Sequence, residues 1–424
     1  MNELNNFSWI FLITLGAGVL LQWWLAQRQL NAVKHHASAV PDVFQGKISL
    51  KAHQKAATYT LAKVSLGQKL LLLEMLVLLV WTFGGLLNWL DSFWLQQQWS
   101  VLWTGVAVML SVSILGSLLD LPLSYYRTFV LEEKFGFNHT DKKTFATDLI
   151  KGLFLSLLLG VPFLALVLWL MGNAGEQWWL FVWMVWMGFS LLMMWAYPAI
   201  IAPLFNKFKP LEDGGLKSRI ETLLQRNDFS SQGIFVMDGS KRSGHGNAYF
   251  TGFGRNKRIV FYDTLLEGLD DDEVEAVLAH EVGHFKRKHI YKMLISMAMF
   301  SLAGLALLAW LMQQAWFFTG LGVNSQQTYM ALLLFMFAMP VFSVFFSPLM
   351  SLMSRKHEFE ADEFAASQTD AQLLVQALVK MYKDNASTLT PDPLYSLFYD
   401  SHPSAPVRIA HLNRLATTTQ GATP

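Results

Sequence analysis

Long apolar stretches alternate with shorter polar ones along the chain, and their lengths predict its architecture. Seven mostly apolar windows fall at residues 7–25, 70–90, 99–121, 152–171, 178–202, 290–310 and 329–350. Each is about 20 residues long, which is what a helix needs to cross a hydrocarbon core of ~30 Å. Buried helices of soluble enzymes are shorter and keep a polar face, so the pattern predicts seven transmembrane helices. Between the fifth and sixth windows the pattern changes. Residues 216–225 have helical spacing, whereas 233–237, 248–253 and 258–262 are β-branched and aromatic runs parted by Gly- and Lys-rich turns. A further helix opens in the acidic cluster Asp270, Asp271, Asp272 and Glu273, which suits an N-cap and the positive end of a helix dipole. After the last window, residues 358–366 continue helically and 391–424 read as a polar tail. The expected fold is an α-helical multi-pass membrane protein with a small α/β domain. Five spans occupy 1–204, the α/β region 205–289, a membrane hairpin 290–353 and a C-terminal region 354–424. No internal repeat or low-complexity tract interrupts this order.

Composition agrees with lipid as the main solvent. Of 424 residues, 53% are hydrophobic and only 15% charged, and there are 32 Phe and 16 Trp. A net charge of +1 with no basic run sets nucleic acid aside as a partner. The absence of cysteine excludes disulfides, thiolate-held metal, thiol catalysis and redox switching, so any metal must sit on His, Asp or Glu. The segment ahead of the first window carries Glu3 and no Lys or Arg, which favours a retained anchor over a secretory signal.

Loop charges predict an orientation, because Lys and Arg accumulate on the cytoplasmic side. The first loop holds Arg28, Lys34, Lys47, Lys51, Lys55 and Lys63 against Asp42, and the second, 91–98, has no basic residue. Arg127, Lys134, Lys142 and Lys143 stand in the third loop, whereas 172–177 and 312–328 lack Lys and Arg altogether. The alternation puts the amino terminus outside, and the 205–289 region and the carboxyl-terminal region in the cytoplasm.

On the acidic-capped helix stands His280-Glu281-Val282-Gly283-His284. Two imidazoles at i and i+4 project from one helix face and can reach a single ion, with Glu281 between them as the catalytic base. From 11 His and at most 31 Glu, a chance match is expected about 0.02 times per chain, so accident is a poor explanation. A catalytic zinc takes three protein ligands, and the best source of the third is His357-Glu358-Phe359-Glu360-Ala361-Asp362. Glu358 and Asp362, spaced i, i+4, can place a ligating carboxylate and an acceptor that orients a ligand imidazole on one face, with Glu360 pointing elsewhere. His357 is the alternative ligand. Two spans lie between His284 and Glu358, out and back, so both motifs return to the same membrane face. Arg408 is a further candidate, either pairing with a carboxylate near the metal or touching substrate. Glu74 and Asp120, inside or near spans, should face protein or water.

H-E-V-G-H, a membrane hairpin and then E-F-E-A-D together resemble the integral-membrane zinc endopeptidases of the CAAX prenyl protease type 1 family. The segment Ser240-Lys241-Arg242-Ser243-Gly244-His245-Gly246-Asn247-Ala248-Tyr249-Phe250 is similar to the one ahead of that family's active-site helix. The likeness covers nearly the whole chain. It implies one zinc ion on His280, His284 and Glu358, with Asp362 supporting a ligand histidine. It further implies that Asn247 and His402 reach the substrate cleft, and that an enclosed chamber exists which Glu74 and Asp120 could line. Asn247 opens an apolar run that reads as an edge strand, where an extended peptide can pair. His402 could donate to a developing oxyanion. The family pattern after His402 often has a second Pro where this chain has Ser404.

The expected reaction is peptide hydrolysis on a peptide or protein partner, with a cut after a prenylated Cys near a carboxyl terminus for family-like substrates. A short amino terminus, no cysteine and no retrieval signal fit a bacterial inner membrane, where quality control of membrane proteins is the alternative task. A shorter, heat-shock-type membrane protease is disfavoured by the additional spans. Intact His280, Glu281, His284 and Glu358 argue against a transporter or channel with a vestigial zinc site.

Overall fold

The structure, a computed structural model, describes residues 4–229, 231–252 and 257–420. Within these, seven helices are long and apolar enough to cross a membrane: Asn6–His36, Leu50–Trp81, Val101–Phe135, Lys142–Asn173, Gly175–Phe205, His289–Leu311 and Thr328–Gln368. Only 11% to 33% of each apolar window is buried inside the protein. Side chains such as Ile13, Leu20, Ile150, Phe154 and Met299 point outward. In water every Å² of that apolar surface would cost about 25 cal/mol relative to burial, whereas against lipid tails the cost disappears.

One window is displaced. The second spanning helix ends at Trp81, and the apolar run continues through a turn into a separate helix, Leu86–Leu95. Gly85 sits at φ 78°, a conformation glycine adopts without strain, and this breaks the helix although hydropathy does not fall. Leu87 and Leu90 of the short helix are buried, and Asp91 accepts a 2.5 Å hydrogen bond from the Tyr329 hydroxyl. The first two spans also extend past their apolar windows, so Arg28, Lys34, Lys51, Lys55 and Lys63 lie on helix rather than loop. Arg28 uses that position to pair with Asp392 at 2.9 Å.

The α/β unit contains the expected strands and one more. β1 (Phe208–Pro210), β2 (Ile234–Met237), β3 (Ala248–Thr251) and β4 (Arg258–Tyr262) form a sheet ordered β1-β2-β4-β3. β2 and β4 are parallel, the outer pairs antiparallel, and β3 is the edge expected for the run after Asn247. The last residue expected in that strand, Phe253, lies outside the described residues. β1 escaped the sequence reading because three residues ending in Pro210 carry no alternation.

Helix Gly215–Arg226 and the motif helix Asp271–Lys286 pack with the sheet around Ile220, Leu223, Phe261, Leu278 and Val282. The polar tail expected at 391–424 is corrected. Helices Ala371–Asp384, Pro393–Tyr399 and Ala405–Gln420 follow the last span, and Ala405, Ile409 and Leu412 are buried in the same core. Those three residues form an i, i+4, i+7 stripe, which the intervening Arg and His disguise.

Two features hold the motif helix in place. Asp270 and Glu273 form a reciprocal capping box, and Lys380 bonds both carboxylates at 2.8 and 2.7 Å. Gly283 lets the motif helix cross Ser347–Gln368 closely: a methyl group there would stand 3.0 Å from Ala361 Cα and 3.1 Å from Ala361 O. Backbone cannot give way as a flexible side chain would. Gly283→Ala is therefore expected to destabilise by about 1–3 kcal/mol, the range for overpacking. It should also weaken metal binding, because Glu358 lies one turn before Ala361. Thermal unfolding in detergent and chelator competition check both, and an unchanged melting point with unchanged metal affinity would contradict the close crossing.

Candidate active site

His280 and His284 rise from adjacent turns of the motif helix, and their Nε2 atoms stand 3.2 Å apart. Glu358, from the facing helix Ser347–Gln368, places Oε1 3.3 Å from His284 Nε2 and Oε2 3.6 Å from His280 Nε2. For Zn–N bonds of ~2.0–2.1 Å, the edge of a tetrahedron is about 3.3–3.4 Å, close to this spacing. Glu358 is 3% exposed and its Oε2 has no hydrogen-bond partner, although His402 Nδ1 lies 2.8 Å away and Arg408 Nη1 3.5 Å. A buried carboxylate oxygen left without a hydrogen bond is costly, and a cation at the centre of the three donors would satisfy it. The donor set therefore fits a metal.

Electrostatics point the same way. Burial and the Arg408 charge pull the His280 imidazole down, but the neighbouring Asp362 and Glu358 carboxylates outweigh both and lift it to about 9. A buried site that favours a proton on this ring favours positive charge at this place. His280 Nδ1 is 2.9 Å from Asp362 Oδ1, so the structure brings Asp362 together with the ring nitrogen that faces away from the donor group. Arg408 is only 7% exposed, and its Nε and Nη2 bond the two Asp362 oxygens at 3.0 and 2.5 Å. Of the two expectations for Arg408 this placement favours pairing with a carboxylate near the histidines, with Nη1 directed towards Glu358 Oε2 at 3.5 Å.

Glu281 opens onto a cavity of about 730 Å³ that also reaches His284 and Glu358. Burial pushes the Glu281 carboxyl up, against the pull of both imidazoles. Tyr249, Phe250 and Thr251 of β3 form one wall, and Met297, Phe300 and Met350 carry the cavity along the spanning helices. His402 stands at the site with most of its side chain exposed. Asn247 is exposed at the start of β3, its Oδ1 accepting from the Ala248 N–H at 2.8 Å. His357 does not join the donor group; its ring stacks on His289 with centroids 4.1 Å apart. Glu74 lines a separate cavity of about 240 Å³ between the first, second and seventh spans, and Asp120 is exposed.

His289 is the residue that sequence reasoning missed. It is 5% exposed, with Nδ1 2.9 Å from His284 Nδ1 and Nε2 2.9 Å from Glu360 Oε2. Nothing local signals it, since it falls outside the i, i+4 spacing and its acidic partner is 71 positions away.

Two imidazoles and a carboxylate at the cavity from the motif helix, with a second carboxylate from the helix that continues the seventh span, define a multi-pass membrane metalloendopeptidase. The chain matches the family described as "CAAX prenyl protease N-terminal, five membrane helices" over residues 29–207, and "Peptidase family M48" over residues 210–416. It is 35% identical to the CAAX prenyl protease 1 homolog of Arabidopsis thaliana, covering 91% of this chain and 92% of that one. Identity to the Homo sapiens homolog is 31%, over 94% and 95%, and to CAAX prenyl protease 1 of Saccharomyces cerevisiae 38%, over 71% and 70%. The crystal structure of S. mikatae Ste24p superposes with a TM-score of 0.89 at 33% identity, covering 96% of this chain and 99% of that one. The chain belongs to the CAAX prenyl protease 1 family of M48 metallopeptidases. These relatives are eukaryotic and lend no support to a bacterial source. Neither the transporter nor the heat-shock reading is favoured.

Proposed function

We propose that this protein is a zinc endopeptidase that cleaves lipid-modified peptides near their carboxyl termini, on the cytoplasmic face of its membrane. One observation carries the reading: the cavity that holds Glu281 beside the His280, His284 and Glu358 group continues along apolar side chains of the spanning helices. A peptide bond and a neighbouring lipid could then be held by one continuous surface. The basic residues at the span ends that flank the first and third connections, on the same side as the α/β unit by the count of spans, support the orientation.

In this mechanism His280, His284 and Glu358 hold the zinc, and Asp362 fixes the His280 ring. Bound zinc supplies polarisation of the scissile carbonyl and a lowered pKa for the attacking water. Glu281 takes the proton from that water and returns it to the leaving amine. The edge strand β3 offers backbone groups for an extended peptide, with Asn247 fixing its register and His402 donating to the oxyanion. Turnover of matched peptides ending in farnesylated and unmodified Cys-aliphatic-aliphatic-X tests the proposal, with products identified by mass spectrometry. At about 0.8 kcal/mol per buried CH₂, a few buried isoprenyl carbons should raise kcat/KM on the order of tenfold or more. The cut should follow the modified cysteine. Equal kcat/KM for both peptides would overturn the substrate class and favour general quality control.

A further inference from the structure

A metal-ligating imidazole has a second ring nitrogen, and what that nitrogen bonds fixes the tautomer and the ring plane. For His280 the partner is Asp362, held in turn by Arg408. For His284 no carboxylate is in place at Nδ1 among the described residues. Its Nδ1 faces His289 Nδ1 at 2.9 Å, and His289 Nε2 faces Glu360 Oε2 at 2.9 Å. Lys292 Nζ lies 3.3 Å from the same oxygen, and Lys356 Nζ 4.0 Å from Oε1. The His289 ring lies nearly parallel to His357, with an interplanar angle of 17°.

Proton counting leaves one arrangement that satisfies every contact. A ligand His284 presents the Nε2 lone pair to the metal, so its proton sits on Nδ1 and is donated towards His289. The His289 Nδ1 must then accept, which puts the His289 proton on Nε2. That N–H points at Glu360, and an ionised carboxylate can only accept. Each group has a single role, and the direction runs from His284 through His289 to Glu360.

Resting on the zinc reading, we infer that His289 and Glu360 form a positioning relay for His284, the counterpart of Asp362 and Arg408 at His280. The relay also joins the two ends of the membrane hairpin. His289 opens the sixth span, and Glu360 lies on the helix that leaves the seventh. The approach of one helix to the other thereby sets the orientation of a metal ligand.

Full-length variants in detergent test this by zinc affinity, read by chelator competition, and by the visible spectrum of the cobalt-substituted protein. His289→Phe keeps a ring against His357 but offers no acceptor. His289→Asn returns an amide oxygen near the position of Nδ1. We expect His289→Phe to weaken zinc on the order of 10–100-fold, the range for loss of such a partner. The cobalt spectrum should shift with it, and His289→Asn should recover most of both. Wild-type affinity and spectrum in His289→Phe would overturn the relay, as would His289→Asn behaving as poorly as His289→Phe. Should His289→Phe fail to fold, Glu360→Ala carries the same test, with weaker zinc binding supporting the relay and unchanged binding and spectrum refuting it. A wild-type protein that takes up no zinc would instead refute the zinc reading itself.

Discussion

Glu281→Gln is expected to keep one zinc ion per chain while losing peptide cleavage by on the order of 10²–10⁴-fold, the range for removing a general base. The amide has nearly the same shape as the carboxylate, and Glu281 is outside the donor group of His280, His284 and Glu358, so metal content should not change. What disappears is an acceptor able to take a proton at the cavity wall. Metal analysis with single-turnover cleavage separates the two effects. Near wild-type cleavage would put the base elsewhere, whereas loss of zinc would mean that Glu281 also supports the metal. An inactive protein that still binds peptide would trap natural substrates for identification.

The second large effect is expected from Glu358→Ala, which should abolish both stoichiometric zinc and activity. Two imidazoles alone leave a catalytic zinc one protein ligand short. The carboxylate is also the buried anionic centre of a cluster, with His280, His284, His402 and Arg408 all within 3.6 Å of its oxygens. Removing it leaves Arg408 facing the histidines with Asp362 as the remaining counter-charge. Metal analysis after purification without chelator decides the point: stoichiometric zinc in Glu358→Ala would transfer the third ligand to another residue, with His357 the first to examine.

What could be read from the sequence follows from how local each signal is. His280 and His284 are four positions apart on one helix, so their convergence is a property of helical geometry alone. Glu358 is 74 positions beyond His284, but the two apolar windows between them bring the chain back to the same face, and topology stands in for proximity. The spans were legible because lipid demands length and continuity. The second was misplaced where the turn at Gly85 interrupts the helix without interrupting the apolar run. Ile409 and Leu412 were missed because a polar surface surrounds a narrow buried stripe. His289 and Glu360 could not be found, since their meeting depends on the crossing of two helices and leaves no mark on the spacing of either. Arg408 was ambiguous for the same reason, and only its burial against Asp362 separates a supporting role from contact with substrate.

Anomalous diffraction from crystals of the zinc-loaded protein, measured above and below the zinc absorption edge, tests the central claim most directly. One anomalous peak per chain is predicted, bounded by His280 Nε2, His284 Nε2 and a carboxylate oxygen of Glu358 at about 2.0–2.2 Å, with Glu281 beside it and not bonded to it. A peak without Glu358 among its ligands, or no peak between the two histidines, would contradict the account.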